Sequence, residues 1–281
     1  FGVEVALSAV FANPTVRSLA SLVEKEATTR PQIQTMDPNL ILLRKGTGSR
    51  NLFFIHAGSG EIEVYVDFCN SLKPEFTCWA IRADRYENHG PLNLSVEYLG
   101  SKYLKMILDI QEVGPYYLAG WCLGGTIAFE MARQLEDMGE TVAFVGLINS
   151  EAPEKGLLEY EGDFHCGTER ALLSSTFGPQ LVPESVLALD NTHAMWQTVI
   201  ATCKDLGVTP EQVKAFVPTA LVRLVPNYQN LDTERLIFYA NLFRTFQMTR
   251  ALYSPGNSIS SAVHLFEASD EPVANKNRWL R

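Results

Sequence analysis

The sequence predicts an α/β fold with a doubly wound, mostly parallel sheet, and three observations carry the prediction. Short apolar runs alternate with longer amphipathic stretches from residue 39 onward. The run Val142–Ile148 is apolar throughout, as is typical of a strand in the middle of a parallel sheet. Residues 116–126 indicate a short strand, a glycine-rich turn and the start of a helix in direct succession.

The other elements follow from the same periodicities. Strands are predicted at Leu40–Leu43, Leu52–Ile55, Phe76–Ile81, Tyr116–Ala119, Val142–Ile148 and Ala262–Glu267. Helices are predicted around Glu61–Leu72, around Ser95–Gln111, from near Thr126, and around Thr233–Tyr253. The alternation of the two sets supports the doubly wound arrangement.

The chain divides into three parts. Residues 1–26 are predicted to hold short helices, one of them starting with Asn13 as its cap and Pro14 in its first turn. Residues 27–38 are polar and contain proline, which indicates a linker. Residues 39–281 form the α/β domain, whose helical stretch at about 151–232 (near 169–176, 194–206 and 210–215) is predicted to be a substrate lid.

Composition excludes several classes of function. A net charge of −9 argues against a nucleic-acid surface. No apolar run reaches the ~20 residues of a membrane span, and the first residues lack the basic region of a signal peptide. The five cysteines include no C-x-x-C pair, and their odd number fits a reducing cytoplasm. We therefore expect a cytoplasmic protein without a metal site.

Cys122 is the predicted nucleophile. It occupies the tip of Gly120-Trp121-Cys122-Leu123-Gly124-Gly125, a nucleophile elbow with cysteine where serine is usual. The Leu123 N–H is the expected first oxyanion donor, and Gly58 or Ala57, in the loop after an early strand, is the expected second. His56 in that loop is expected to orient it. Cysteine at the tip would give a thioester intermediate.

A nucleophile needs a base, and the base needs an orienting partner. Asn149 follows the strand after the elbow, 27 residues beyond Cys122, and Asp270 follows the last strand; either can be the orienting residue. No histidine follows Asp270, and we expect structural roles for His89, His165, His193 and His264. The catalytic histidine is therefore expected beyond Arg281.

These motifs resemble the thioesterase domains that end nonribosomal peptide synthetases. The resemblance is carried by Gly114–Gly125, Phe54–Gly60, Leu147–Ser150 and Val263–Phe266, and it covers nearly the whole chain. Residues 1–5 and 7–24 resemble the last helices of a peptidyl carrier domain. The cysteine elbow resembles that of synthetases that close four-membered rings, of the sulfazecin or obafluorin type.

The resemblance implies an α/β-hydrolase fold and an acyl-transfer reaction. Cys122 would take a peptidyl chain from the phosphopantetheine thioester of the carrier domain and release it by ring closure, as a β-lactam. The family's carrier serine precedes residue 1, and its aspartate is replaced here by Asn149.

Three alternatives remain open at this point. Release could be hydrolytic and give a linear peptide. Dienelactone hydrolases share a Gly-x-Cys-x-Gly-Gly elbow, so the chain could be a free-standing hydrolase of small molecules. The absence of an identified base also allows a non-catalytic module that docks a carrier.

Overall fold

The structure is a computed structural model with side chains. It describes residues 15–28, 37–84, 94–152, 173–174, 182–214 and 227–268, together with residues 10, 13, 170, 225 and 279. Cys166, Asp270, His89 and His165 lie outside the described residues, as does the side chain of His193.

One six-stranded sheet organises the fold. Its strands are β1 (Leu40–Arg44), β2 (Arg50–Ile55), β3 (Phe76–Ile81), β4 (Tyr116–Trp121), β5 (Val142–Ile148) and β6 (Val263–Phe266). They are ordered β1-β3-β2-β4-β5-β6, and only the β1–β3 pair is antiparallel. The predicted mostly parallel sheet is confirmed, with β3 and β5 at their predicted bounds.

Helices cover both faces of the sheet. The α-helices among the described residues are α1 (Val16–Thr28), α2 (Val66–Ser71), α3 (Val96–Leu108), α4 (Leu123–Asp137), α5 (Glu184–Leu187), α6 (Thr192–Asp205), α7 (Pro210–Lys214) and α8 (Thr233–Leu252). Helices α3 and α4 pack together on one face, over Phe53 and Ile55 of β2. The opposite face, with Leu52 and Phe54, is covered by residues 62–69. Alternate residues of β2 thus enter different cores, as strand pleating requires.

Two predicted helices differ from the observed ones. The stretch predicted as one helix over 61–72 is a 3₁₀ turn at Glu63–Tyr65 followed by α2. Helix α4 begins at Leu123 rather than near Thr126, because the helix follows directly on the tip of the elbow. Both differences lie next to the predicted oxyanion donors, where tertiary contacts fix the backbone.

Helix α1 begins at Val16, two residues later than the start at Pro14 that the sequence predicts. Its cap is Thr15, whose side-chain oxygen accepts from the Ser18 N–H at 3.1 Å, while the Ser18 hydroxyl accepts from the Thr15 N–H at 3.3 Å. This reciprocal pair of bonds places the cap of the described helix at Thr15, two residues beyond the predicted cap, Asn13. The helix continues to Thr28, two residues into the predicted linker.

Helices α5, α6 and α7 lie between β5 and β6, in the segment for which the sequence predicts a lid. They share an apolar core with the first half of α8, through Leu236 and Ile237. The second half of α8 enters the core of the sheet instead, through Leu242 and Phe246. One long helix therefore joins the insertion to the sheet.

Candidate active site

Cys122 sits in a strained backbone conformation at the tip of the elbow. Its φ of 54° and ψ of −118° lie where residues with a Cβ rarely occur. Such a conformation costs about 1–3 kcal/mol, which contacts of the surrounding structure must offset. Of the four cysteines among the described residues, Cys122 alone is partly exposed; Cys69, Cys78 and Cys203 are buried, as expected. The elbow thus presents a partly exposed cysteine.

Two glycines make this conformation possible. A Cβ on Gly120 would overlap the Gly124 backbone, and a Cβ on Gly124 would overlap the carbonyl oxygens of Ile55 and His56. The first turn of α4 therefore lies directly against β4, the strand that precedes it, and against the end of β2. Glycine is needed at these positions for close approach of backbone to backbone.

The flanking strands bring the predicted residues to one edge. Ile55 at the end of β2 pairs with Gly120, and Ile148 at the end of β5 pairs with Trp121. The Cys122 N–H also donates to the Ile148 carbonyl at 2.9 Å. The loop 56–60 therefore lies on one side of Cys122 and Asn149 on the other, at the carboxyl edge where α/β sheets bind ligands.

The predicted oxyanion donors flank this edge. Leu123 is the first residue of α4, so its N–H is among those that a helix leaves without a partner at its positive end. The Ala57 N–H already donates to the Glu61 carbonyl, at 3.4 Å. Gly58 makes no hydrogen bond through its N–H to another described residue, which favours it over Ala57 as the second donor.

His56 is committed to the loop and not to Cys122. Its Nδ1 lies 2.7 Å from the Ala57 carbonyl, to which it can only donate, so Nε2 accepts from the Tyr103 hydroxyl at 2.7 Å. Burial of the whole ring lowers the pKa of His56 to about 4, so the ring is neutral near pH 7. These contacts are those expected of a residue that orients the loop.

Tyr65 connects the two strands that flank the oxyanion donors. Its buried hydroxyl donates to the Ile55 carbonyl at 2.6 Å and accepts from the Trp121 N–H at 2.8 Å. Burial raises the pKa of Tyr65, so the hydroxyl keeps its proton. Each bonded backbone group lies next to a predicted functional residue, His56 in one case and Cys122 in the other.

Asn149 has a φ of 42° and anchors the edge of the sheet beyond β5. Its N–H donates to the Phe266 carbonyl at 2.7 Å, and its Oδ1 accepts from the Ala268 N–H at 2.7 Å. The side-chain oxygen therefore holds the chain after β6, the segment that leads to Asp270. A carbonyl oxygen has a second lone pair, which leaves Asn149 capable of accepting from a base as well.

The histidine sought as a base is not found among the side chains that the structure describes. His264 stacks on Phe144 with ring centroids 4.8 Å apart, and it pairs with Gly146, two residues before β5 ends. The His264 side chain is exposed, so the structural role expected of it is limited to this stacking contact. Asp270 lies outside the described residues, so Asn149 is the described member of the predicted pair of orienting residues.

Helix α8 also reaches this edge. The Tyr239 hydroxyl donates to the Glu61 carboxylate at 2.6 Å, directly after the loop 56–60. Phe246 lies against the His56 ring, with ring centroids 4.9 Å apart. Helix α8 therefore contacts the loop that carries Gly58 at both of its ends.

Sequence reasoning missed Tyr65, Tyr239 and Glu61. Tyr65 lies in a stretch with helical apolar spacing, where a tyrosine is expected to be core. Tyr239 is 178 positions from Glu61 along the chain. A pattern of local period holds no signal for such contacts; a tyrosine soon after a glycine-rich loop was the one available hint.

Comparison with known proteins agrees with this geometry. A family model described as a thioesterase domain matches residues 50–168. The matched segment includes the loop 56–60, Cys122 and Asn149.

The curated relatives are synthetases of which this chain spans a small part. Atromentin synthetase greA of Suillus grevillei is 36% identical over 141 residues, which are 50% of this chain and 14% of that protein. Malpibaldin synthetase of Mortierella alpina is 35% identical over 153 residues, which are 54% of this chain and 3% of that protein.

Solved structures share the fold at low identity. A four-domain nonribosomal peptide synthetase bound to AMP and glycine superposes with a TM-score of 0.55 and 22% identity, over 96% of this chain and 19% of that one. A thioesterase domain bound to a dodecadepsipeptide superposes with a TM-score of 0.51 and 15% identity, over 86% of this chain and 82% of that one. The chain thus has the α/β-hydrolase fold of thioesterase domains, and its residues 50–168 match that family.

Proposed function

We propose that this chain is the thioesterase that releases a carrier-bound product from a nonribosomal-peptide-type synthetase, with Cys122 as its nucleophile. The observation that carries the proposal is the partly exposed Cys122 thiol at a strained elbow within a thioesterase-family segment. The substrate is an acyl or peptidyl chain held as a thioester on the phosphopantetheine arm of a carrier domain. That carrier domain is the proposed partner.

The first step is a thioester exchange. The Cys122 thiolate attacks the acyl carbon, a new carbon–sulfur bond forms to Sγ, and the bond to the pantetheine sulfur breaks. The pantetheine thiolate leaves and takes up the proton that the base removed from the Cys122 thiol. Because one thioester replaces another, the acyl chain keeps its transfer potential on the enzyme.

The oxyanion of the tetrahedral intermediate is held by the N–H groups of Leu123 and Gly58. Leu123 adds the positive end of α4, and removal of one such donor typically costs about 10²–10³ in rate. A histidine outside the described side chains is the proposed base, with Asn149 or Asp270 to orient it. Cysteine–histidine–asparagine sites work in this way.

We propose that the second step is ring closure, with a β-lactam as the product class. A nitrogen of the acyl chain attacks the acyl carbon, the bond to Cys122 Sγ breaks, and the nitrogen's proton passes to the base. A thioester offsets ring strain better than an ester, which gives a reason for cysteine at the elbow. The helical insertion between β5 and β6 would act as a lid that limits access of water.

The test is the mass of the released product. With a substrate that carries an internal amine on a carrier thioester, the wild-type chain should release a product one water lighter than the free acid. Cys122→Ser should release mostly the acid. A wild-type product that is all acid would overturn ring closure while leaving acyl transfer intact; equal ring yields would overturn the role given to sulfur.

The free-standing hydrolase is less well supported than the carrier-linked enzyme. The curated relatives are synthetases, and the matched segment belongs to a thioesterase family. Turnover of a small enol-lactone without any carrier would favour that alternative instead.

A further inference from the structure

The ends of β2 and β4 separate where Cys122 is presented. Ile55 pairs with Gly120, and the His56 N–H turns to the other neighbour, donating to the Ile81 carbonyl at 3.0 Å. The Ile55 carbonyl therefore points towards β4. In a regular parallel ladder the next bond would join this carbonyl to the Trp121 N–H.

The Tyr65 hydroxyl occupies that position in the ladder. It donates to the Ile55 carbonyl and accepts from the Trp121 N–H, so both backbone groups are satisfied through one inserted oxygen. The Tyr65 hydroxyl therefore keeps the ends of β2 and β4 apart by the width of one oxygen atom. No other hydrogen bond to these two backbone groups is needed to complete their pairing.

The two separated ends carry the two halves of the proposed oxyanion hole. Ile55 leads into the loop with Gly58, and Trp121 leads into Cys122 and Leu123. The Trp121 N–H that the Tyr65 hydroxyl accepts belongs to the residue directly before Cys122. A hydroxyl placed between these ends sets their spacing.

We propose that Tyr65 is a positioning residue for acyl transfer, whose inserted hydroxyl sets the distance between the Gly58 and Leu123 oxyanion donors and fixes Cys122 between them. This inference rests on the proposed function for its kinetic part. It does not require Tyr65 to touch the substrate.

The ring of Tyr65 has a separate, purely structural role. It stacks on Phe54 with ring centroids 4.8 Å apart and an interplanar angle of 25°. Tyr65→Phe keeps this stacking and removes only the hydroxyl. The strand ends would then either close onto each other or lose their partners, and both outcomes displace Cys122 relative to Gly58.

Tyr116→Phe is the matched control. Tyr116 is also buried, and its hydroxyl donates to the Gln111 carbonyl at 3.0 Å. It is the first residue of β4, whereas Trp121 is the last. The control therefore removes one buried phenol-to-carbonyl bond from the opposite end of the same strand.

The experiment measures acylation of Cys122 by a peptidyl-pantetheine thioester, followed by intact mass over a range of substrate concentrations. For Tyr65→Phe we expect the saturated acylation rate to fall about a hundredfold, the effect of a displacement near 1 Å, with the half-saturating concentration changed less than about threefold. Tyr116→Phe should stay within about twofold of wild type at similar loss of stability. An unchanged rate in Tyr65→Phe, or equal losses in both variants, would overturn the proposal.

Hydrogen–deuterium exchange separates this proposal from the proposed function. The peptide spanning residues 121–125 should exchange faster in Tyr65→Phe than in Tyr116→Phe, whether or not any thioester reacts. If wild type forms no adduct, the proposed function fails, and hydrogen–deuterium exchange alone then tests whether Tyr65 positions the strand ends. Equal exchange in the two variants then overturns the positioning role of Tyr65.

Discussion

The carboxyl edge of the sheet and the helical insertion differ in backbone strain and in the kind of side chain that they bury. Two of the three described non-glycine residues with positive φ, Cys122 and Asn149, lie at the edge, as do the buried polar residues His56 and Ser150. Residues 182–214 of the insertion bury apolar side chains and, among those described, no polar or charged one. The edge thus combines backbone strain with buried polar side chains, whereas the described residues 182–214 show neither outside glycine.

Helix α8 connects the two regions and shows the same contrast within one element. Its first half gives Leu236 and Ile237 to the insertion, whereas its second half gives Phe246 to the sheet and to His56. Variants in the two halves should therefore have similar costs in stability and different effects on acyl transfer.

The largest expected effect is the loss of a large core side chain from either region. Phe246→Ala and Trp196→Ala each remove a buried aromatic ring and should lower the free energy of unfolding by about 3–5 kcal/mol in urea titrations. Under conditions where both remain folded, Phe246→Ala should also slow acylation of Cys122, since it removes the ring that packs against His56. Equal acylation rates in the two variants would contradict the claim that the sheet edge, and not the insertion, controls acyl transfer to Cys122.

Gly124→Ala should be the next most damaging change. The added methyl group overlaps the carbonyl oxygens of Ile55 and His56, and overpacking against backbone should cost about 3 kcal/mol. Gly256→Ala is the control, because a Cβ there meets nothing within 4 Å; it should stay within about 0.5 kcal/mol of wild type. Urea titration compares them, and equal stabilities would contradict the close approach of α4 to β2.

Acid should weaken the sheet edge through His56. Burial lowers its pKa from 6.5 to about 4 in the folded protein, so the unfolded chain binds the proton first as the pH falls. The stability that His56 contributes is complete above pH 6.5 and is lost progressively between pH 6.5 and pH 4, by about 2 kcal/mol at pH 5.

His56→Asn should remove this part of the pH dependence. The free energy of unfolding of the variant, measured by urea titration at pH 7 and pH 5, should fall less over that interval than that of wild type. Parallel profiles would show that the ring is not held neutral in the fold.

The smallest effect is expected at the junction of the two regions. Tyr239→Phe removes the bond to the Glu61 carboxylate and should cost about 1.5 kcal/mol in urea titrations, because the acceptor is charged. Tyr228→Phe in the insertion is the comparison, since its hydroxyl bonds to no described residue; it should cost less. The reverse order would contradict the link between α8 and the loop 56–60.

Local patterns predicted the elements better than the contacts between them. β3 and β5 were placed from their apolar runs, and Cys122 from the glycines that its conformation requires. The 3₁₀ turn before α2 was predicted as part of a helix, because Tyr65 lies at helical spacing and its hydroxyl is held by tertiary bonds.

The edge contacts show why the rest could not be predicted. Asn149 was predicted to orient a base, and the structure adds that its oxygen already accepts from Ala268, 119 positions along the chain. Glu61 and Tyr239 likewise form a hydrogen bond although 178 positions of the chain, the insertion among them, separate the two residues. Pairings of such separation depend on the packed fold, of which a sequence pattern carries no direct record.

The most direct test is to locate an acyl adduct. After incubation with a peptidyl-pantetheine thioester, protease digestion and mass spectrometry of the wild-type chain should place the acyl group on Cys122 alone, with none on the buried Cys203, and Cys122→Ala should carry no adduct. An adduct that persists in Cys122→Ala, or one that maps to another residue in wild type, would contradict the account.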